Sequence, residues 1–196
     1  MLERGVEVDH TTLFRWIQHY APEIEKRLRW YYKPGTSSSW QVDETYVKIK
    51  EKWCYLYRAI DFYLSRTRNA KAAKRVLGKA LRSLKPWAHP RTINTDKAAA
   101  YISAISELAN EGKCPPDLFH RSVKYLNSRI ESDHGKLKRL IKPTLGFKTM
   151  KTASATIKGC EVMLMFKKGQ FNTWVPENNV MGEIRLINRQ FNIYTA

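Results

Sequence analysis

Residues 40–60 read WQVDETYVKIKEKWCYLYRAI, and their composition decides the fold. Trp40 to Lys50 is rich in Val, Ile, Thr and Tyr, side chains that suit a pleated, half-buried surface. Glu51-Lys52 supplies a turn, and Trp53 to Ile60 returns as a second strand, so the stretch predicts a β-hairpin. The apolar-aromatic pattern then runs on to Thr67 without a Gly, Pro or Asn to interrupt it. Either one long bent strand forms, or a turn is forced between Arg58 and Asp61 without the residues that favour turns.

Outward from the hairpin, helices and short strands alternate. Asn69 to Leu84 is predicted helical, with Val76, Leu77, Ala80 and Leu84 inward and Lys71, Arg75, Lys79 and Arg82 along the solvent side. Arg91 to Thr95 is a short strand, Lys97 to Asn110 a helix, Leu118 to Val123 another strand, and Asn127 to Ile141 and Met150 to Lys168 two further helices. Upstream, Val8 to Tyr20 reads as a helix capped by Asp9, with Leu13, Trp16, Ile17 and Tyr20 on an apolar face and Thr11, Arg15, Gln18 and His19 opposite. Pro22 opens a second helix, and the run from Lys33 through Ser39 breaks it as a linker. Strands followed by alternation with helices predict an α/β fold with a mixed sheet.

The 196-residue chain carries 35 Lys+Arg against 18 Asp+Glu, a net charge of +17, with 43% hydrophobic residues. That apolar content supports a packed core and excludes a disordered basic tail. No run approaches the length of a membrane span, and no secretory signal segment opens the chain, so a cytoplasmic protein without a membrane partner is expected. Cys54, Cys114 and Cys160 lie far apart with no C-x-x-C pair, which argues against a disulfide framework or structural zinc. The charge makes a polyanion the expected partner, with nucleic acid ahead of an anionic membrane surface. Nine Lys/Arg and no acid fall between Arg66 and Arg91, and nine against only Glu131 and Asp133 between Arg121 and Lys151.

Against this background three acids stand out. Asp43 lies inside a β-branched, aromatic strand, where an uncompensated carboxylate is costly and calls for a positive partner. Asp96 follows a strand directly, at the end where α/β sheets place their sites; the plainer reading is a cap for the helix starting at Lys97. Glu131, separated from Asp96 by 34 intervening residues, sits in a helix, where a single Glu is commonly just solvated. Converging, the three would form an all-oxygen site suited to two Mg²⁺ ions, or to Mn²⁺, for in-line displacement at phosphorus. Glu44 points to the opposite face of the strand and is set aside. His134, on an apolar stripe, reads as a packed residue, and Trp40, Trp53 and Trp87 read as core rather than base-stacking platforms.

These segments resemble a known family. WQVDETYVKI, WCYLYRAID, TINTDKAAAY and NSRIESDHGKLKRLIKPTLGFKTMKTASATIKG, with the interval from Asp96 to Glu131 and Lys138 seven residues further, are similar to DDE transposases of the insertion sequence six family. The resemblance implies a ribonuclease-H-like core shared with retroviral integrases, with Asp43, Asp96 and Glu131 as the catalytic, metal-binding triad. Lys138, and Arg139 beside it, would lie along DNA. It further implies double-stranded DNA partners, namely terminal inverted repeats and a target, metal-dependent 3′-end cleavage and strand transfer, a homo-oligomer on DNA, and a place on the bacterial nucleoid.

On this reading residues 1–33 are a partial helix-turn-helix, 34–39 the linker, 40–170 the DDE catalytic domain and 171–196 a C-terminal tail. Thr11, Arg15, Gln18 and His19 would face DNA from the first segment, and Lys71, Arg75, Lys79 and Arg82 from the catalytic domain. The family has extra residues after Asp61, so the second and third core strands are expected to meet through a shortened turn. The alternatives are a catalytically defective copy that only occupies DNA, and a nuclease without strand transfer.

Overall fold

A computed structural model describes residues 7–31, 39–59, 62–84, 89–123, 128–175 and 179–193. Two compact units form, one from residues 36–148 and the other from residues 1–35 with 149–196.

The first unit holds the strands. β1 (Ser39–Gln41) and β2 (Asp43–Ile49) follow one another with only Val42 between, and β3 (Lys52–Arg58) and β4 (Phe62–Ser65) come next. After helix α2 (Ala70–Arg82) come β5 (Thr92–Thr95), α3 (Ala99–Asn110), β6 (Phe119–Ser122) and α4 (Ser128–Ile141), which ends in a 3₁₀ turn at Lys142–Thr144. β2, β3 and β4 pair antiparallel, whereas β1, β5 and β6 pair parallel. Val42 joins the two sets, its N–H donating to the Asn94 carbonyl at 2.9 Å. Read across that shared line, the order is β4-β3-β2/β1-β5-β6, the ribonuclease-H-like arrangement of antiparallel strands flanked by parallel ones.

Thr45, Val47 and Ile49 are buried on one side of β2, and Tyr46 and Lys48 are exposed on the other. Helices α2 and α3 close the main core, where Val76, Leu77, Ala80, Tyr101, Ala104 and Leu108 pack with Trp40, Val42, Tyr57 and Ile93 of the strands. The fifteen-residue run is two strands rather than one long bent one: Arg58 pairs antiparallel with Phe62, and the expected turn falls on residues 60–61, outside the described residues. The buried Tyr57 and Leu56, opposite Tyr63 and Leu64, anchor this pairing.

The first hairpin turn falls one residue earlier than the sequence suggests. Ile49 pairs with Lys52, and Lys50 and Glu51 form the two-residue loop with φ of 49° and 61°. Such a turn favours Asn-Gly, and neither Lys nor Glu signals it. Cross-strand packing, with Tyr46 and Tyr55 rings 5.3 Å apart, fixes the register instead.

The second unit contains α1 (His10–Leu28), α5 (Met150–Lys167) and α6 (Val180–Gln190), the last lying within the expected tail. Asp9 caps α1 as expected, accepting the Thr11 N–H at 3.0 Å. Pro22 does not open a new helix: it lies inside a single continuous one. Docking outweighs the lost backbone hydrogen bond. Ala21 packs so closely on α5 that a Cβ at Gly159 would stand 3.0 Å from its own, Leu28 is buried, and Lys158 meets Glu25 at 3.0 Å. Trp16, Ile17 and Tyr20, expected as a buried face, are 44%, 47% and 49% exposed. Among the described residues no helix is long and apolar enough to cross a membrane.

The left-handed turn yields a prediction. An L-residue there costs about 1–2 kcal/mol, so replacing Lys50-Glu51 by Asn-Gly raises stability by about 1 kcal/mol net of glycine's entropy. Urea unfolding should show a higher midpoint at unchanged slope; an unchanged midpoint would contradict the turn assignment.

Candidate carboxylate site

Asp43 is the first residue of β2, where the long strand exchanges parallel pairing with β5 for antiparallel pairing with β3. Asp96 follows the last residue of β5. The Val42–Asn94 hydrogen bond ties these two strands together one residue before Asp43 and two before Asp96. The two acids are therefore neighbours as a consequence of strand pairing, not of loop geometry.

One Asp96 oxygen accepts the Ala98 N–H at 3.0 Å and the other faces Arg68 at 3.3 Å. Helix α3 begins only at Ala99 and its N-cap, Ala98, makes no side-chain cap. Asp96 thus orders the turn before the helix with one oxygen and leaves the second toward the site. Asp43 has His134 Nδ1 at 3.7 Å, and His134 is buried as its apolar stripe implies. Burial, with Arg58 and Lys138 nearby, lowers the imidazole to about 4, so it is neutral at pH 7. The contact is not an ion pair. Asp43 itself is pushed up to about 6, first by burial and then by the charges of Glu44, Asp96 and Glu131.

That electrostatic coupling places Glu131 within the field of Asp43. It is exposed in the first turn of α4. The tightest group, with one oxygen from each residue within 4.8 Å of the others, is however Asp43, Glu44 and Asp96. Glu44, set aside on strand alternation, belongs with the site. Alternation does hold for its surroundings, since it accepts the Tyr101 hydroxyl at 2.6 Å on the α3 side and pairs with Arg68. Convergence happens because Asp43 lies at the strand's change of partner and Asp96 reaches toward both. Burial, then the Glu44 carboxylate, hold the Tyr101 phenol protonated. The only signal in the sequence was the adjacency of Glu44 to Asp43.

The expected DNA-facing residues are dispersed. Thr11, Arg15 and His19 are exposed on α1 and Gln18 is half-buried. On α2, Arg75 donates to the Tyr63 hydroxyl at 3.0 Å, Arg82 donates to the Gly78 carbonyl at 3.0 Å, and half-buried Lys79 lies over the Phe62 ring. Lys71 is exposed. Acids from α3 join that helix: Lys74 pairs with Glu107 at 2.7 Å and Glu111 at 2.5 Å, which a reading of α2 alone could not see. Lys138 and Arg139 are exposed toward the end of α4. Trp40 is core as expected; Trp53 is not, being 66% exposed, and Trp87 lies outside the described residues.

A family described as "DDE domain" matches residues 37–170. The transposase for insertion sequence-like element IS431mec of Staphylococcus aureus is 36% identical over 181 residues, spanning 86% of this chain and 75% of that protein. The chain belongs to the DDE transposases of the insertion sequence six family. The transposase for insertion sequence element IS257 in transposon Tn4003, also from Staphylococcus aureus, is 36% identical over 180 residues, covering 85% of this chain and 75% of that one. Among solved structures, the magnesium complex of the HTLV-2 integrase catalytic core in its dimeric form is 20% identical, with a TM-score of 0.42 over 55% of this chain and 71% of that one.

The raised Asp43 carboxyl has a consequence for this transposase. A carboxyl held above its ordinary value of 3.8 favours the protonated folded state, so its contribution to stability is present at low pH and lost as pH rises through about 6. Asp43→Asn should therefore melt higher than the native chain at pH 7, by about 1–2 kcal/mol, with the difference vanishing below pH of about 4. Calorimetric melts across that range check it; equal stability at pH 7 would contradict the crowding of charge at Asp43.

Proposed function

We propose that this chain performs DNA 3′-end cleavage and strand transfer at the terminal inverted repeats of a bacterial insertion sequence, with Asp43, Asp96 and Glu131 as its catalytic acids. Support comes above all from the two aspartates, set side by side by adjacent strands with Glu131 raising the proton affinity of Asp43. In this reading residues 40–170 are the catalytic domain, 34–39 a linker, 171–196 a tail and 1–33 a DNA-contacting segment acting through Thr11, Arg15, Gln18 and His19. The protein would act as an oligomer on nucleoid DNA in the cytoplasm.

The donor set fits a hard divalent cation. It consists of carboxylate oxygens alone, and the burial and neighbouring negative charge that disfavour ionised Asp43 are what such an ion relieves. Asp43, Asp96 and Glu131 would hold two Mg²⁺, with Mn²⁺ as substitute, and bound ions of this kind supply Lewis acidity toward a phosphodiester. The chain's own groups do the rest. Neutral, buried His134 backs Asp43 without competing for its charge. Arg68 neutralises Glu44 and steadies Asp96, which makes Glu44 a positioning residue. Lys138 and Arg139 offer cations to the DNA backbone, and Lys71, Arg75, Lys79 and Arg82 add a second basic surface. Water would attack in the first step and the freed 3′ hydroxyl in the second, with no covalent protein intermediate.

Inverted-repeat DNA incubated with Mn²⁺ separates these roles. Asp43→Asn, Asp96→Asn and Glu131→Gln should each lose cleavage and joining by on the order of a hundredfold or more while retaining duplex affinity. Glu44→Gln should remain within about tenfold of the native rate. Cleavage that survives Asp96→Asn would refute the assignment, and loss in Glu44→Gln with activity kept in Glu131→Gln would move the third acid to Glu44. A second reading, a copy that only occupies DNA, draws on the absence of Glu131 from the tightest oxygen cluster. It predicts no cleavage by any form, with equal affinity and salt slope.

A further inference from the structure

A groove of about 850 Å³ opens in the strand-bearing unit, away from the acids. Its walls include Tyr46 and Trp53 from the exposed face of the hairpin, with Tyr55 beside them. Tyr46 is 46% exposed and Trp53 66%, and the rings of Tyr46 and Tyr55 lie 5.3 Å apart. These are large apolar surfaces to leave in water. The opposite wall is the end of α4 and the loop after it, contributing Lys138, Arg139 and Lys142. Lys48 adds a fourth cation, and among the described residues no acid lines the groove.

Its place is fixed by the two elements that also carry the acids. His134 of α4 lies beside Asp43 at the start of β2, and Phe147, after the helix has ended, exchanges hydrogen bonds with Lys48 and Lys50 near the end of β2. Strand and helix therefore run the same way, from acids to groove. Tyr46 is three residues past Asp43, about 10 Å at the rise of a strand. Lys138 is seven past Glu131, about 10 Å at the rise of a helix. Along one strand of a duplex that separation is about three nucleotides.

We propose that this groove captures an unpaired nucleotide about three steps from the reacting phosphate, its base stacked on Trp53 and the Tyr46–Tyr55 pair and its phosphate met by Lys138, Arg139 and Lys142. Exposed rings give an apolar protein segment a place to dock as readily as a base; the wholly cationic rim decides for the nucleotide. Stacking aromatics beside a positive track are the means by which proteins hold single strands irrespective of sequence. The transposase would thereby hold a frayed or cleaved end open beside its carboxylates. The inference rests on DNA being the partner, and its test is a binding measurement that needs no catalysis.

Fluorescence anisotropy in EDTA would compare a blunt duplex with the same duplex carrying a single-stranded thymidine extension. The native chain should prefer the extended probe. Trp53→Ala and Tyr46→Ala should each weaken binding to it by about tenfold while the blunt duplex stays within about twofold, and Trp53→Phe should keep most of the preference. A 2-aminopurine in the extension should be quenched by the native chain and not by Trp53→Ala. Equal binding of both probes by native chain and variants would overturn the groove's role and leave the DNA reading intact. So would an effect of Trp53→Ala on oligomeric mass alone. A native chain that binds neither probe would overturn both.

Discussion

The hydrogen bond from the Val42 amide to the Asn94 carbonyl holds the site together. It sits where one line of chain, Ser39 to Ile49, leaves a parallel partner and takes an antiparallel one. Because β5 ends at Thr95 and β2 begins at Asp43, this junction brings two carboxylates from distant parts of the sequence to the same end of the sheet. The packing of Trp40, Val42 and Ile93 against α2 and α3 makes the junction rigid. A carboxylate pair mounted this way needs no flexible loop to assemble.

Such an arrangement has an electrostatic cost. Asp43, Glu44 and Asp96 crowd one another, and burial of Asp43, together with the charges of Glu44, Asp96 and Glu131, raises its proton affinity. Within the chain Arg68 offsets charge on Glu44 and Asp96, and the Tyr101 hydroxyl donates to Glu44. A divalent cation held by these carboxylates would offset this cost further. The net charge of +17 makes such a group of carboxylates unusual in this chain.

Much of this was legible in the residues. The β-branched run from Trp40 marked the hairpin, helical periodicity placed α2 through α5 to within a residue or two, and Asp96 does follow a short strand directly, beside Asp43. What escaped was set by packing at a distance. Pro22 reads as a boundary, but the close approach of Ala21 to Gly159 keeps α1 whole. Lys50-Glu51 carries none of the chemistry of a left-handed turn; the strands impose it. Strand alternation correctly assigns Glu44 a different environment from Asp43, yet cannot reveal that Asp96 draws an oxygen of each close. Trp53 looks like core by residue type, and only its register opposite exposed Lys48 shows otherwise.

The most direct measurement of the central claim is anomalous scattering from crystals of the native chain grown with Mn²⁺. Peaks in contact with carboxylate oxygens of both Asp43 and Asp96, absent in Asp96→Asn crystals, are the result this account predicts. Crystals saturated with manganese that show no peak between those two side chains would contradict it.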